Sequence, residues 1–116
     1  EQISKYKSFD RTMSDIAQFA IGDLVHHKLF DYRGVVADVD PCFMLTDEWY
    51  ENVAQSQPPK DRPWYQIFVH NAMHNTYVAE RNLELDTSEE PICHPLVDSR
   101  FETFRNTRYI PFQKVN

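Results

Sequence analysis

Two alternating apolar and polar runs, joined by a short polar link, constrain the fold more than any other feature of the sequence. The runs are DLVHHKL and GVVADVD, and the link between them, FDYR, has the composition of a turn. Side chains alternate between the two faces of a strand. The residues expected to share a face are Val25, His27 and Leu29 in the first run, and Val35, Ala37 and Val39 in the second. The runs therefore predict a β-hairpin, with Gly34 permitting a bulge and Pro41 ending the second strand.

Three further segments have the length and pattern of short strands: WYQIFVH, TYVA and LELD. The stretch TDEWYENV, with Thr46 as N-cap, predicts a short helix, and the proline-rich QSQPPKDRP predicts a linker. Five short strands with little helix predict a mostly β fold, a small antiparallel β-barrel with short helical additions. Near the carboxyl end, the spacing of Leu96, Val97, Phe101 and Phe104 predicts one side of a helix, followed by an extended YIPF.

The 116 residues fit one domain with three segments. Residues 1–18 are polar and mixed in charge, which predicts a flexible N-terminal arm. Residues 19–86 contain the predicted strands and form the expected barrel. Residues 87–116 are expected to be a C-terminal extension that packs on the barrel. No apolar run approaches the length that spans a bilayer, so no membrane partner is expected.

The net charge is −6, and the negative excess lies in the middle of the chain, where residues 22–86 carry five Lys/Arg against eleven Asp/Glu. An acidic surface repels phosphate backbones, so the predicted barrel is poorly suited to bind DNA by charge alone. Basic residues collect near the carboxyl end, with two more near the first hairpin. The candidate DNA contacts are Lys28, Arg33, Arg100, Arg105, Arg108 and Lys114. The alternative is that these cations belong to an ordinary solvated surface.

Asp38 and Asp40 are two apart on a predicted strand, so they point to the same face. Such a pair could act as acid and base or hold a hard cation. However, Asp-Pro is also a common way to leave a strand, and the sequence shows no convergent partners for a site. We therefore expect a structural role for this pair, and we predict no catalytic residue, metal site or cofactor.

The histidines and cysteines form no spaced metal-binding pattern. A nucleophile at Cys42 or Cys93 is formally possible, but neither has recognisable activating neighbours in the sequence. Two reduced thiols fit a cytoplasmic protein. His27 is expected to be an interior histidine bonded to backbone, or alternatively a titrating switch.

Aromatic residues are dense for so small a domain. Such side chains fill a barrel or grip a partner. We expect Tyr65 or Phe68 to fill the interior. The candidate protein contacts are Trp49, Tyr50 and Trp64, of which Trp49 lies in a charged loop and is the best placed for a contact surface.

Several segments, in this order, resemble the heat-shock protein HspQ family, also called the YccV-like hemimethylated DNA-binding domain. They are FAIGDLVHHKLFDYRGVVADVDP, RPWYQIFV and TYVAERNLEL, which together cover about residues 19–86. The tail PICHPLVDSRFETFRNTRYIP is similar to the extension of longer members, including the domain attached to some eukaryotic F-box proteins. The positions that carry the resemblance are Gly22, His27, Lys28, Tyr32, Gly34, Asp40, Pro41, Trp64, Tyr65, Tyr77, Glu80 and Asn82.

The resemblance implies an SH3-like β-barrel and a protein that is not an enzyme. Members are described either as heat-shock accessory factors that promote degradation of damaged proteins by ATP-dependent proteases, or as binders of hemimethylated DNA. Our first hypothesis is an accessory or adaptor protein whose partners are a Lon- or Clp-type protease and its substrates. The alternative is a hemimethylated DNA-binding protein. A homo-oligomer is also expected.

Overall fold

The structure is a computed structural model that describes residues 17–54 and 56–112. It contains seven strands within these ranges: β1 (Leu24–His27), β2 (Arg33–Asp40), β3 (Trp64–Val69), β4 (Asn75–Ala79), β5 (Leu83–Leu85), β6 (Phe101–Arg105) and β7 (Arg108–Pro111). Its helices there are α1 (Asp47–Val53), α2 (Val97–Arg100) and a 3-10 turn (Glu80–Asn82). The mostly β prediction is therefore confirmed. Nearly all of the predicted N-terminal arm, and Lys114, lie outside the described residues.

The strands form a five-stranded antiparallel sheet in the order β4-β3-β2-β1-β5, with β6 and β7 as a separate hairpin. The predicted barrel is not closed by hydrogen bonds within this part of the chain, because β4 and β5 are the two ends of the ladder. The cause is the 3-10 turn Glu80–Asn82, which separates the two strands and carries the chain across to β1. The sheet therefore keeps two edges.

A bulge in β2 changes which side chains are inside. The register passes from Val36 opposite Ile67 to Asp38 opposite Gln66, so Ala37 is the extra residue. Residues after a bulge exchange faces relative to strict alternation. The prediction that Val35, Ala37 and Val39 share a face was therefore wrong. Val35 and Ala37 pack in one core cluster, whereas Val39 packs against another.

The two faces of the sheet support two apolar clusters. One face carries Val25, Tyr65 and Ile67 among others, and these side chains are essentially inaccessible to solvent. The opposite face, with Leu24, Val35 and Phe68, is covered by the segment after β5 through residues Ile92, Val97, Phe101 and Tyr109. The expectation that Tyr65 or Phe68 fills the interior is confirmed, and both aromatic rings are buried, one on each face. Leu29, expected beside Val25, lies instead in the turn after β1 and is 58% exposed.

The helix predicted from the apolar spacing after Leu96 is only four residues long. It ends at Arg100, and the chain continues as the β6–β7 hairpin. Asn106 and Thr107 both have positive φ, 55° and 61°, which is the backbone geometry of the tight turn that favours hairpins. The extended conformation expected for YIPF is confirmed by β7. None of the helices in the described ranges has the length and apolarity needed to cross a membrane.

Candidate functional site: a groove beside strand β4

A groove with a volume of about 690 Å³ runs beside strand β4. All five residues of β4 line it, from Asn75 to Ala79. One wall is the turn between β1 and β2, and the other is formed by α1 and the chain that follows it to Pro58. Among the described residues that line the groove, none is Asp, Glu, Lys or Arg. The groove is thus an uncharged surface on an acidic protein.

The first wall is organised around His27, a buried residue at the end of β1. Its Nδ1 accepts hydrogen bonds from the backbone N–H groups of Leu29 and Phe30, at 3.1 and 3.0 Å. The Phe30 ring stacks on the imidazole with 4.7 Å between centroids, and the Tyr32 ring lies 5.0 Å away. Burial, with a smaller contribution from the adjacent His26, lowers the pKa of His27. A neutral imidazole can accept both hydrogen bonds at Nδ1, so it fixes the turn that presents Phe30. This is the backbone-bonded interior histidine that the sequence predicted.

The second wall is a cluster of aromatic rings. It forms because Thr46 caps α1 as predicted, its Oγ1 accepting a hydrogen bond of 3.1 Å from the Trp49 N–H. The helix places Trp49 against Tyr77, with ring centroids 5.7 Å apart, and Tyr77 stacks on Trp64 at 5.2 Å. The remaining rings of the cluster are Phe43 and Tyr50. Trp49 and Tyr77 therefore share the groove surface with the edge strand.

Asp40 fixes the orientation of Tyr77. The phenol donates a hydrogen bond of 2.6 Å to Asp40 Oδ2 and accepts one of 3.1 Å from the Met44 N–H. Burial, followed by the hydrogen bond to Asp40, raises the pKa of Tyr77, so this phenol stays protonated.

Asp38, the other member of the predicted carboxylate pair, accepts a hydrogen bond from the N–H of Val39, at 3.0 Å. The described residues hold no group of three or more His, Cys, Asp or Glu that could ligate a metal.

The candidate protein contacts fall into two kinds. Trp49 is partly exposed and lines the groove. Tyr50 and Trp64 are 7% and 1% exposed. The Tyr50 hydroxyl donates a hydrogen bond to the Pro58 carbonyl, and the Trp64 indole N–H donates one to the Pro59 carbonyl. These two rings support the wall and offer little surface of their own.

Sequence reasoning missed four exposed apolar residues on the rim of the groove. Leu29, Phe30 and Val53 are 58%, 68% and 53% exposed, and a fourth such residue, Leu45, is 41% exposed. Apolar side chains in a turn or at a helix end give no distinctive pattern. The one available signal was an apolar pair, LF, inside a segment whose other residues predict a turn.

The candidate DNA contacts are not assembled into one basic surface. Three of the six are bonded within the fold. Arg33 forms an ion pair with Asp86 at 2.9 Å, and Arg108 pairs with Asp23 at 3.1 Å. Arg100 donates a 2.6 Å hydrogen bond to the carbonyl of Ala37.

The two other candidate cations within the described ranges are exposed. Lys28 follows β1 and Arg105 ends β6. Lys114 lies outside those ranges. Of the five candidates that the structure describes, only these two are therefore exposed and free of the internal bonds that occupy the three arginines.

Other positions of the family resemblance serve the fold beside the groove. Glu80 is buried, and one of its oxygens accepts hydrogen bonds from the Tyr65 hydroxyl at 2.6 Å and from the Gln18 N–H at 2.9 Å. Tyr32 bonds Thr76 through their hydroxyl groups at 2.7 Å, which ties the β1–β2 turn to β4. Gly22 has a φ of 99° and bonds both β2 and β7 through its backbone.

Comparison with known proteins identifies the family. A family model described as "Hemimethylated DNA-binding protein YccV like" matches residues 17–108. The chain is 33% identical over 95 residues to F-box only protein 21 of Homo sapiens, and equally to that of Pongo abelii and of Mus musculus. These matches cover 80% of this chain but only 15% of each relative. The resemblance noted in the sequence is confirmed, and the chain belongs to the YccV-like family.

Proposed function

We propose that this chain is a non-enzymatic recognition domain that binds an apolar stretch of a partner protein in the groove beside β4. The observation that carries the proposal is the absence of Asp, Glu, Lys and Arg from the described lining residues. A ligand with a charged backbone would find no counter-charge there, whereas uncharged polypeptide with apolar side chains would not need one. The groove combines apolar walls with a few polar groups, which is the usual composition of a binding site.

The rim of the groove adds apolar surface that a partner could cover. Leu29, Phe30 and Val53 are each more than half exposed although they are apolar. They border one groove from its two walls, and exposed apolar residues grouped in this way, in contrast to scattered ones, mark interaction sites. Unfolded or damaged proteins expose such segments, so this surface suits the accessory role in ATP-dependent proteolysis that the HspQ resemblance implies. A Lon- or Clp-type protease remains our proposed destination for the bound protein.

We also propose that the five-stranded sheet is an SH3-like barrel that stays open between β4 and β5. The meander from β1 to β4, with β5 returning to pair with β1, supports this topology. The groove then lies on the β4 side of this opening.

The test replaces two rim residues and measures binding of a protein that cannot fold. The variant Phe30→Ser/Val53→Ser removes two apolar side chains that are mainly solvent-exposed, so the fold should be retained. The matched control is Leu85→Ser, whose side chain is 59% exposed and lies outside the groove lining. The probe is a fluorescently labelled, reduced and carboxymethylated globular protein, followed by anisotropy.

Two lost apolar contacts of about 1 kcal/mol each should weaken binding by about 10- to 30-fold. The Leu85 variant should bind like the unmodified chain. Equal affinity of the rim variant and the control would refute binding at this groove. A second assay, degradation of the same probe by purified Lon or Clp protease with ATP, tests the adaptor role separately: no change in rate on adding the chain would refute that role.

Hemimethylated DNA binding is the second candidate, and the family description supports it more directly than it supports the protease role. Phosphate contacts would have to come from exposed cations such as Lys28 and Arg105, because Arg33, Arg100 and Arg108 are bonded internally. The net charge of −6 opposes such contacts.

This candidate is tested with GATC duplexes that are unmethylated, hemimethylated or fully methylated, at low and physiological salt. Preference for the hemimethylated duplex at both salt concentrations would support it. Replacing Lys28 and Arg105 by alanine should then reduce the salt dependence by about one unit of slope per cation. Binding without methylation preference, or binding that disappears at physiological salt, would refute it.

A further inference from the structure

We propose that β4 is a pairing edge: the segment bound in the groove extends the sheet as an additional strand, through backbone hydrogen bonds to Asn75, Tyr77 and Ala79. This inference rests on the proposed function, since it specifies how the partner protein is held. It predicts that the ligand is recognised as extended backbone with alternating side chains and that its sequence matters less than its conformation.

The hydrogen-bond phase of β4 follows from its pairing with β3. The Glu80 N–H donates to the Pro63 carbonyl at 3.1 Å, and Val78 lies opposite Tyr65 in the same register. In an antiparallel ladder, residues that bond the neighbouring strand alternate with residues whose N–H and C=O point away from it. Val78 and Thr76 therefore bond β3.

Asn75, Tyr77 and Ala79 alternate with these two residues, so their backbone groups do not bond β3. Their N–H groups, and the C=O groups of Asn75 and Tyr77, are directed away from β3. Strand β4 is the end of the ladder, so no further strand of the described residues receives these groups. The backbone hydrogen bonds outside the regular ladders, for this same part of the chain, include none made by Asn75 or Tyr77. The edge is therefore unpaired there.

The groove includes this edge as well as part of one face of the sheet, where Trp64 and Gln66 of β3 line it. Side chains on a strand alternate between faces, yet five consecutive residues of β4 line the groove. Thr76 bonds Tyr32 on the side of the β1–β2 turn, whereas Tyr77 packs against Trp49 on the side of α1. A cavity that meets both sets of side chains must face the backbone between them.

The two walls define the side chains that an added strand would present. Alternate residues would point to the wall of Phe30 and Tyr32, and the residues between them to the wall of Trp49 and Tyr77. Both walls are apolar or aromatic, so apolar and aromatic side chains fit on either side. The occupant that we propose is a partner segment and not a second copy, since β4 of a second copy is itself flanked by the same two walls.

Amide hydrogen exchange measured by NMR tests directly which backbone amides of β4 bond β3 and which are unpaired. In the free protein, the amides of Tyr77 and Asn75 should exchange rapidly, whereas those of Thr76 and Val78 should be protected by β3. The probe is a synthetic peptide of about nine residues that alternates threonine with valine, has a central phenylalanine, and carries a lysine at each end. Backbone pairing tolerates many sequences, so a generic extended peptide is a sufficient probe. Binding should slow exchange of the Tyr77 amide by at least about 10-fold.

Two further variants make the test specific. An added strand bonds β4 through alternate residues only. Two peptides are therefore compared, one with N-methyl groups on its odd-numbered residues and one with N-methyl groups on its even-numbered residues. One of the two should fail to bind, and the other should bind like the unmodified peptide. On the protein side, Asn75→Pro removes an outward N–H at an edge position that tolerates proline, and Asn75→Ala retains that N–H. Asn75→Pro should weaken peptide binding by about 3- to 10-fold, the loss of one net backbone hydrogen bond, while Asn75→Ala should not.

The outcomes separate this inference from the proposed function. If the peptide shifts the Trp49 resonances but leaves Tyr77 exchange unchanged, and both methylation phases bind alike, edge pairing is refuted while binding in the groove stands. If neither the peptide nor an unfolded protein perturbs Trp49 or Tyr77, the proposed function fails as well. Protection of the Tyr77 amide without any peptide, accompanied by a doubled molecular mass, would replace the partner segment by a second copy and overturn the inference.

Discussion

The hydrogen bond between Tyr77 and Asp40 offers a quantitative test of how the groove wall is held. Tyr77→Phe removes the hydroxyl that donates to Asp40 Oδ2 at 2.6 Å and accepts from the Met44 N–H at 3.1 Å. Hydrogen bonds to charged groups contribute about 1.5–3 kcal/mol. Asp40 is only partly buried, so water can replace part of the lost interaction. We therefore expect a cost of about 1.5–2 kcal/mol, which for a domain of this size lowers Tm by roughly 6–15 °C.

The companion change, Asp40→Asn, keeps an acceptor oxygen but removes the charge. It should cost about 1 kcal/mol, the difference between a charge-assisted and a neutral hydrogen bond. In the Tyr77→Phe background the same change should cost almost nothing, because the phenol is no longer there to donate. Urea unfolding of the four proteins, followed by tryptophan fluorescence, gives the coupling energy, which we expect to be about 1 kcal/mol.

Tyr32→Phe provides a matched control. Its hydroxyl bonds the neutral hydroxyl of Thr76 at 2.7 Å, so its removal should cost about 1 kcal/mol and should not depend on Asp40. Strictly additive effects of Tyr77→Phe and Asp40→Asn would refute the reasoning, because they would mean that the two groups do not interact. Equal coupling energies of Asp40→Asn with Tyr32→Phe and with Tyr77→Phe would also refute the reasoning, because the coupling would then not be specific to the Tyr77–Asp40 hydrogen bond.

Three further changes have defined outcomes. Gly22→Ala should destabilise the fold by at least about 1–3 kcal/mol in urea unfolding, because the residue has a φ of 99° and an added methyl group would meet the backbone of β7. Hydrogen bonds to Asp31 and Glu84 raise the pKa of His26 above 6.5, so its contribution to stability is present below pH 6.5 and is lost as pH rises through the raised value; His26→Gln should remove this dependence. Burial lowers the pKa of His27 below 6.5, so the contribution of the neutral His27 to stability is present above pH 6.5 and is lost as pH falls through the lowered value. His27→Gln should therefore remove a loss of stability at low pH, whereas His26→Gln removes one at high pH. Thermal melts from pH 5 to 8 distinguish the two histidines, and coincident pH profiles of the two variants would contradict both assignments.

The sequence predicted strands well where the alternation was uninterrupted. In β3 the expected burial of Tyr65 or Phe68 was correct, and the pairing of this strand with β4 has no bulge. In β2 the bulge at Ala37 exchanged the faces of the later residues. The sequence offered Gly34 as the site of a bulge, but Gly34 is needed for a different reason: a Cβ there would lie 2.6 Å from the Phe68 carbonyl oxygen. An alanine inside an apolar run carries no signal of irregularity.

The site was harder to predict because its properties depend on long-range partners. The sequence shows that Arg33 is a cation, but not that Asp86, 53 positions away, neutralises it. Likewise, Trp49 and Trp64 both line the groove, yet Trp49 is partly exposed whereas Trp64 is 1% exposed beneath the aromatic cluster. Family resemblance identified positions such as Tyr77, and only the fold shows that its backbone lies on an open edge.

The contrast between the two edges of the sheet argues that the open edge at β4 is functional. Proteins normally protect edge strands by making them short or by adding charges, prolines or bulges, because an unpaired edge invites aggregation. β5 follows this rule: it has three residues, and its central Glu84 forms an ion pair with His26. β4 has five residues without a charge, a proline or a bulge. The β1–β2 turn and α1 flank this edge, which on our proposal keeps it available for an extended partner segment.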